Sequence, residues 1–239
     1  MNDRCPIGWR GIVKSFNGFS LLNRDIISSQ IPLLGPTDTV AHALELMETY
    51  HLPQLPLVDQ EKYIGLAFEE ELLNRQLTEE LGQSPEHFPR ISAPAHLHCL
   101  EAVQLANDFK LNVVPFVDKE DAFIGAATVS DLLQALGKII GVREAGAVIV
   151  LEMEQRAFSF SDISRIIESN DAQITQLNTY WEPQTERLIV TIKINKFEVS
   201  DIINSFQRYE FPVKYYFGEE LYENELRSNY EHLMNYLNI

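Results

Sequence analysis

The sequence predicts a mixed α/β and α+β chain: two copies of a small α-β-β-α unit, then a β-α-β-β-α-β unit and a closing helix. Three observations carry this reading. First, the chain repeats itself. Pro56-Leu57-Val58-Asp59 returns 59 residues on as Pro115-Phe116-Val117-Asp118, and Ala43-Leu44-Glu45-Leu46 returns as Ala102-Val103-Gln104-Leu105. Gly65 and Leu72-Leu73 come back 60 residues on as Gly125 and Leu132-Leu133. A repeat of this length marks two units that bury a shared face and leave two related clefts. Second, each copy switches from a helical apolar period to short continuous apolar runs, the mark of buried strands. Third, the order of elements changes after Gly137 and Gly141.

In the first copy, Pro36-Thr37-Asp38-Thr39 is a turn with capping residues. Val40, Ala43, Leu44, Met47 and Tyr50 then keep the spacing of an amphipathic helix. Pro53 and Pro56 forbid helix, so Leu55 to Val58 reads as a buried strand. Asp59 to Lys62 is a turn, Tyr63 to Ala67 the second strand, and Glu69 to Arg75 the second helix. The second copy repeats this with a helix over His98 to Phe109, strands Asn112 to Val117 and Ala122 to Ala127, and a helix Ser130 to Leu136. A unit this small has too little core to stand alone, which explains the pair.

Composition bounds the function. At 239 residues there is room for a repeat pair plus one more domain. With 45% apolar and 23% charged residues, the chain is globular in type rather than disordered or membrane-spanning. No run approaches the roughly 18–20 apolar residues of a spanning helix. A net charge of −16, from 19 basic against 35 acidic residues, argues against nucleic acid as partner. Cys5 and Cys99 are too few for a disulfide framework, so a cytoplasmic setting is expected. Residues 1–20 read as a lead-in punctuated by Pro6, Gly8, Gly11 and Asn17-Gly18. Arg4, Arg10 and Lys14 make it basic, but no signal-peptide core succeeds them.

On Ala43 to Met47, Leu55 to Asp59 and Val114 to Asp118, both copies resemble CBS domains, and together they resemble the tandem CBS pair, or Bateman module. The sharpest element is Gly125-Ala126-Ala127-Thr128-Val129-Ser130-Asp131, which is similar to the family's Gly-x-x-Thr-x-x-Asp signature. The resemblance covers residues 22–137 and places the first copy at 21–78 and the second at 79–140.

Where a strand ends at Ala127 and a helix opens near Ser130, free backbone N–H groups attract anions. Thr128 adds a hydroxyl suited to a phosphate oxygen, and Asp131 a carboxylate able to accept from both ribose hydroxyls. The family resemblance implies an adenosine-type ligand (AMP, ADP, ATP or S-adenosylmethionine). It implies Thr128 on phosphate, Asp131 on ribose with Ser130 beside them, and the base against Val113, Val114 and Pro115. Thr-x-x-Asp is equally the pattern of a helix-capping box, and that reading stands beside the first. The first copy departs from the signature, with Phe68 in place of Thr128 and Glu71 in place of Asp131. Phenylalanine donates nothing to phosphate, its ring would occupy the anion position, and Glu69-Glu70-Glu71 would repel one. One functional cleft is therefore expected, not two. Lys119 and Lys138 are the nearest bases in sequence to the second junction, so a ligand of low charge such as AMP is favoured.

From 141 to 217 the expected order is strand, helix, strand, strand, helix, strand, the ferredoxin-like arrangement. On Ala147 to Leu151, Phe160 to Glu168 and Asn170 to Ile174 it resembles an ACT domain, which implies dimerisation by edge pairing. ACT effector sites commonly carry glycine in the first strand-to-helix loop. Here the loop is Arg156 to Phe160, so assembly is favoured over amino-acid binding. Residues 218–239 read as a helix with Leu221, Leu226, Tyr230, Met234 and Leu237 on a docking stripe. The domain order resembles the acetoin-utilisation group of CBS–ACT proteins.

His96-x-His98-Cys99 lacks the four ligands of a closed zinc site, and Cys99 falls at an apolar helix position, so no metal and no required cofactor are expected. No nucleophile–base constellation is visible, so no catalytic residue is assigned. The expected function is a non-enzymatic regulatory homodimer that senses an adenine nucleotide. The alternative is a structural or interaction protein with no small-molecule ligand. The downstream protein target is not legible.

Overall fold

The computed structural model describes residues 21–218. The lead-in expected at 1–20 and, beyond Gly218, the closing helix lie outside the described residues. Two compact units divide the chain between Leu136 and Gly137.

The first unit holds both copies. The first comprises α1 (Val40–Tyr50), β1 (Gln54–Asp59), β2 (Lys62–Phe68) and α2 (Glu69–Leu72). The second comprises β3 (Ala93–Pro94), α3 (Cys99–Phe109), β4 (Val113–Val117), β5 (Phe123–Thr128) and α4 (Val129–Ile139). The repeat extends to single backbone angles. His51 closes α1 and Lys110 closes α3, both left-handed at φ 54° and 53°. Each antiparallel hairpin, β1–β2 and β4–β5, breaks register at one equivalent place, Leu57/Val58 and Phe116/Val117. Leu34 bridges Leu57 in parallel, as Ala93 of β3 pairs with Phe116.

Each copy is completed by the segment that precedes the other. Leu22 bridges His98, the Cys99 N–H donates to Leu21, Asn23 donates to Leu97 and Arg24 donates to Ala95. At the same repeat positions of the first copy, Thr39 bridges Glu80, Val40 donates to Glu79, Leu81 donates to Asp38 and Gly82 donates to Pro36. Further on, Ser28 donates to Ala126 and Leu66 donates to Pro89, while Ile27 lies on Gly125 and Phe88 lies on Gly65. These irregular segments satisfy backbone groups that would otherwise be left unpaired next to the strands.

The copies meet in an apolar seam of Val58, Tyr63, Val113, Val117, Phe123 and Ala126. The rings of Tyr63 and Phe123 stack with centroids 6.3 Å apart. Across the seam the Tyr63 N–H donates to the Asp121 carbonyl, and the Phe123 N–H donates to the Glu61 carbonyl in return. One contact has no counterpart among the described residues. Gln54, buried, accepts from the Asn112 N–H at 2.6 Å.

Two helices differ from expectation. α2 stops at Leu72 rather than reaching Arg75: the chain tightens there, Asn74 and Arg75 donating to the Glu71 and Leu72 carbonyls, and Arg75 stands where α4 buries Ala135. α4 runs beyond Leu136 to Ile139, for it is capped and its stripe of Leu132 and Ala135 is buried.

The second unit contains β6 (Val148–Met153), α5 (Phe160–Glu168), β7 (Ile174–Glu182), β8 (Arg187–Ile194), α6 (Ser200–Arg208) and β9 (Val213–Phe217). Its antiparallel sheet has the order β7-β8-β6-β9, the ferredoxin-like topology that the sequence pattern predicts. Alternate strand residues (Ile149, Leu151, Val190 and Ile192) pack under Ile163, Ile166 and Ile167 of α5 and Ile202 and Phe206 of α6. Ser159 starts α5 by accepting from the Asp162 N–H at 3.3 Å.

Candidate functional site

At the β5–α4 junction Thr128 and Asp131 bond to each other. The Thr128 hydroxyl donates to Asp131 Oδ2 at 2.6 Å, and the Thr128 N–H donates to the same oxygen at 2.8 Å. The Asp131 N–H donates to Thr128 Oγ1 at 3.2 Å. This is a reciprocal capping box, worth about 0.5–2 kcal/mol to the helix start. Both bonds accepted by the carboxylate land on Oδ2; among the described residues no hydrogen bond reaches Oδ1. The two side chains are half-buried, whereas Ser130 and Val129 are exposed.

Val113, Val114 and Pro115 are fully buried in β4, one strand from Thr128, which pairs with Val113. Their side chains belong to the core, so only the strand's backbone is left to meet a ligand. The predicted set is thus brought together in space: β4 and β5 are neighbours, and α4 begins where β5 ends. The negative end of this arrangement is Asp131, its positive end the start of α4, where the Val129 N–H donates to the Asn112 carbonyl and the Asp131 N–H to Thr128 Oγ1.

The first copy carries a different junction. Phe68 packs against the second copy's core beside Leu66, so its ring is drawn into packing between the copies instead of standing in an anion position. Glu71 is exposed on α2. Nearby, a hollow of about 730 Å³ opens between α1 and α2, with Leu44, Met47, Leu73 and Leu77 in its wall and Glu45 and Glu69 beside them. Sequence reasoning missed it. The signal lay in Leu73, which the repeat assigned to a longer helix than the one that forms.

His98 is the N-cap of α3, its Nδ1 accepting from the Leu100 N–H at 3.3 Å. Cys99 behind it is buried and unbonded to any second cysteine, and burial pushes its thiol pKa up. Among the described residues no three His, Cys, Asp or Glu side chains converge as a metal site. In the second unit Phe158 packs on the core and closes the first strand-to-helix loop, while Phe160 is exposed. Trp181 is half-exposed beside Arg156 and Glu186. No helix among the described residues is long and apolar enough to cross a membrane.

The family model "CBS domain" matches residues 24–77. The inosine-5'-monophosphate dehydrogenase of Methanocaldococcus jannaschii is 26% identical over 46% of this chain and 22% of its own. That of Aquifex aeolicus is 31% identical over 41% of this chain and 21% of its own. The chain therefore spans about a fifth of the length of the curated relatives it matches. Among solved structures, a CBS domain pair/ACT domain protein from Thermotoga maritima is 21% identical, with TM-score 0.46 over 50% of this chain and 98% of that one. A Vibrio cholerae protein named for acetoin utilization is 22% identical, with TM-score 0.45 over 53% and 97%. CBSX2, solved in complex with AMP, is 18% identical, with TM-score 0.43 over 50% and 98%. The segment matched by the CBS-domain model lies in the first copy, and the second copy is built on the same backbone plan.

Proposed function

We propose that the chain is a non-enzymatic regulatory protein that takes an AMP-like adenine nucleotide at the β5–α4 junction of the second copy. The observation that carries this reading is the geometry of Asp131. Its Oδ2 holds the helix cap while Oδ1 is left to accept from a ribose hydroxyl, so the sugar can bind without breaking the fold. A phosphate would compete with Asp131 for the single proton of Thr128 and would meet the positive end of the α4 dipole. Binding would then loosen the Thr128–Asp131 bond and shift the pair by differential affinity for two states. The second unit, read as ACT-like, would assist dimerisation through an edge strand.

One observation favours a second reading, an interaction protein with no small ligand: the capping box is complete by itself, so Thr128 and Asp131 are explained without a nucleotide. Thermal melting with AMP, ADP, ATP and S-adenosylmethionine separates the two. A ligand at a hundred times its Kd stabilises by about 2.7 kcal/mol, which raises Tm by roughly 5–10 °C for a chain of this size. Such a rise with AMP, lost in Asp131→Ala and kept in Glu71→Ala, supports the sensor. No rise with any of the four supports the interaction protein. Light scattering on the same samples measures the oligomeric state.

A further inference from the structure

The open ends of the two hairpins occupy the same repeat positions but carry different side chains. Gln54 pairs with Phe68 across β1 and β2, as Val113 pairs with Thr128 across β4 and β5. The residue before each of these positions receives the opening amide of the next helix. Glu69 donates to the Pro53 carbonyl at 2.9 Å, and Val129 donates to the Asn112 carbonyl at 3.0 Å. Pro53 has no N–H of its own, whereas Asn112 has one. Gln54 crosses from the first copy and accepts that N–H at 2.6 Å. The two departures from the repeat are complementary. Where position 112 carries a donor, position 54 supplies an acceptor; where position 53 carries none, position 113 is an apolar valine.

Gln54 is only 6% exposed, and its Nε2 makes a long bond of 3.5 Å to the Lys110 carbonyl. One side-chain amide therefore spans the turn that joins α3 to β4. Asn112 is pinned on both sides, its N–H by Gln54 and its carbonyl by the first amide of α4. This residue fixes where α4 begins relative to the β4 backbone. Those are the two walls between which a nucleotide would lie, the base toward β4 and the phosphate toward the helix start. Phe68, the strand partner of Gln54, packs on the cluster that contains Ala127 and Leu132, the immediate neighbours of Thr128 and Asp131. Both side chains at the end of the first hairpin thus buttress the junction of the second copy.

We infer, on the reading of the β5–α4 junction as a nucleotide site, that Gln54 is its positioning residue. From the first copy it holds Asn112, and through Asn112 the start of α4, in the arrangement that receives the ligand. In the full chain, Gln54→Val removes the acceptor, and Gln54→Val with Asn112→Pro reproduces the pair found at Val113 and Pro53. Titration calorimetry with AMP, well below each variant's melting temperature, reads affinity; amide hydrogen exchange without ligand reads the junction. In Gln54→Val the Kd for AMP should rise about tenfold, as it does when the competent junction falls to roughly a tenth of the population. The Val129 amide should exchange about tenfold faster, while the Glu69 amide, closer in sequence to the substitution, changes by less than about twofold. Proline fixes the backbone at 112 and removes the orphaned donor, so the double variant should return both readings to within about threefold of the unsubstituted chain. Unchanged AMP affinity in Gln54→Val overturns the inference. So does equal acceleration at Glu69 and Val129, which would make Gln54 a support of its own strand, or a folded double variant that stays weak. Should the unsubstituted chain leave AMP unbound, the nucleotide reading falls, and the exchange rates alone decide whether Gln54 sets the junction.

Discussion

The two copies share the register of their hairpins and the bonds of their crossing segments, and differ where a side chain must begin a helix. In the second copy Thr128 and Asp131 satisfy one another and α4 runs from Val129 to Ile139. In the first copy Phe68 offers no oxygen and α2 ends after Glu69–Leu72. The strands and crossing segments are indifferent to this change. The difference teaches that the frame of such a unit is written in backbone pairing and buried apolar volume, while its capacity for polar chemistry rests on two side chains that can be lost without losing the frame.

The sharpest way to break the comparison is at the paired glycines. A Cβ on Gly65 would stand 2.4 Å from the Phe88 carbonyl oxygen, whereas one on Gly125 would meet only side-chain carbons of Ile27. Backbone yields less than a side chain does, but Gly125 also sits at φ 158°, where an added Cβ strains the backbone, so Gly65→Ala should cost about 3 kcal/mol and Gly125→Ala about 2 kcal/mol, read from urea midpoints. Equal costs would mean that the two crossing segments are equally soft. Next comes the contact without a twin. Gln54→Leu removes the buried acceptor of the Asn112 N–H and should cost about 1 kcal/mol by the same measurement. The third concerns the caps. Asp131→Ala should lower stability by about 1 kcal/mol, and Glu71→Ala, on a short exposed turn, by less than about 0.5 kcal/mol.

A small effect at neutral pH, growing with pH, is expected at the seam, where Tyr63 faces Phe123. Tyr63 donates to the Ile91 carbonyl at 2.7 Å, and burial raises its pKa well above the ordinary phenol value, only partly opposed by Arg90. The unfolded chain gives up this proton first. The stability tied to Tyr63 is therefore whole below about pH 10 and is lost as pH rises above that. Tyr63→Phe, which makes the seam alike on both sides, should cost about 0.5 kcal/mol at pH 7 and flatten the decline in urea midpoint above about pH 10.

Much of the frame was legible because periodicity reports burial. Val40 to Tyr50, Val213 to Phe217 and the order of the second unit's elements emerge from which residues recur at 3.6 or at 2. The crossing segments were not legible: Leu21 to Ser28 and Glu79 to Pro89 pair through main-chain groups, which leave no mark in residue type. The truncated α2 was misjudged because Leu72-Leu73 echoes Leu132-Leu133, and the difference lies one turn on, where Arg75 stands in place of the buried Ala135. At the site, the sequence placed Thr128, Asp131 and Val113 to Pro115 together, since a strand-to-helix junction beside its hairpin partner leaves them nowhere else to go. It could not tell that Phe68 would reach across into the other copy's packing, since shape complementarity between copies has no periodic signature.

The reciprocal lending of segments has a consequence for how the chain matures. A nascent polypeptide ending at residue 78 would carry helix and hairpin but would lack the strip that covers Gly65 and receives the Val40 amide. Its own opening strip would find no host until the second hairpin had emerged. Neither half is a free-standing module that can be cut out and shuffled; the two must close together, like hands each clasping the other's wrist.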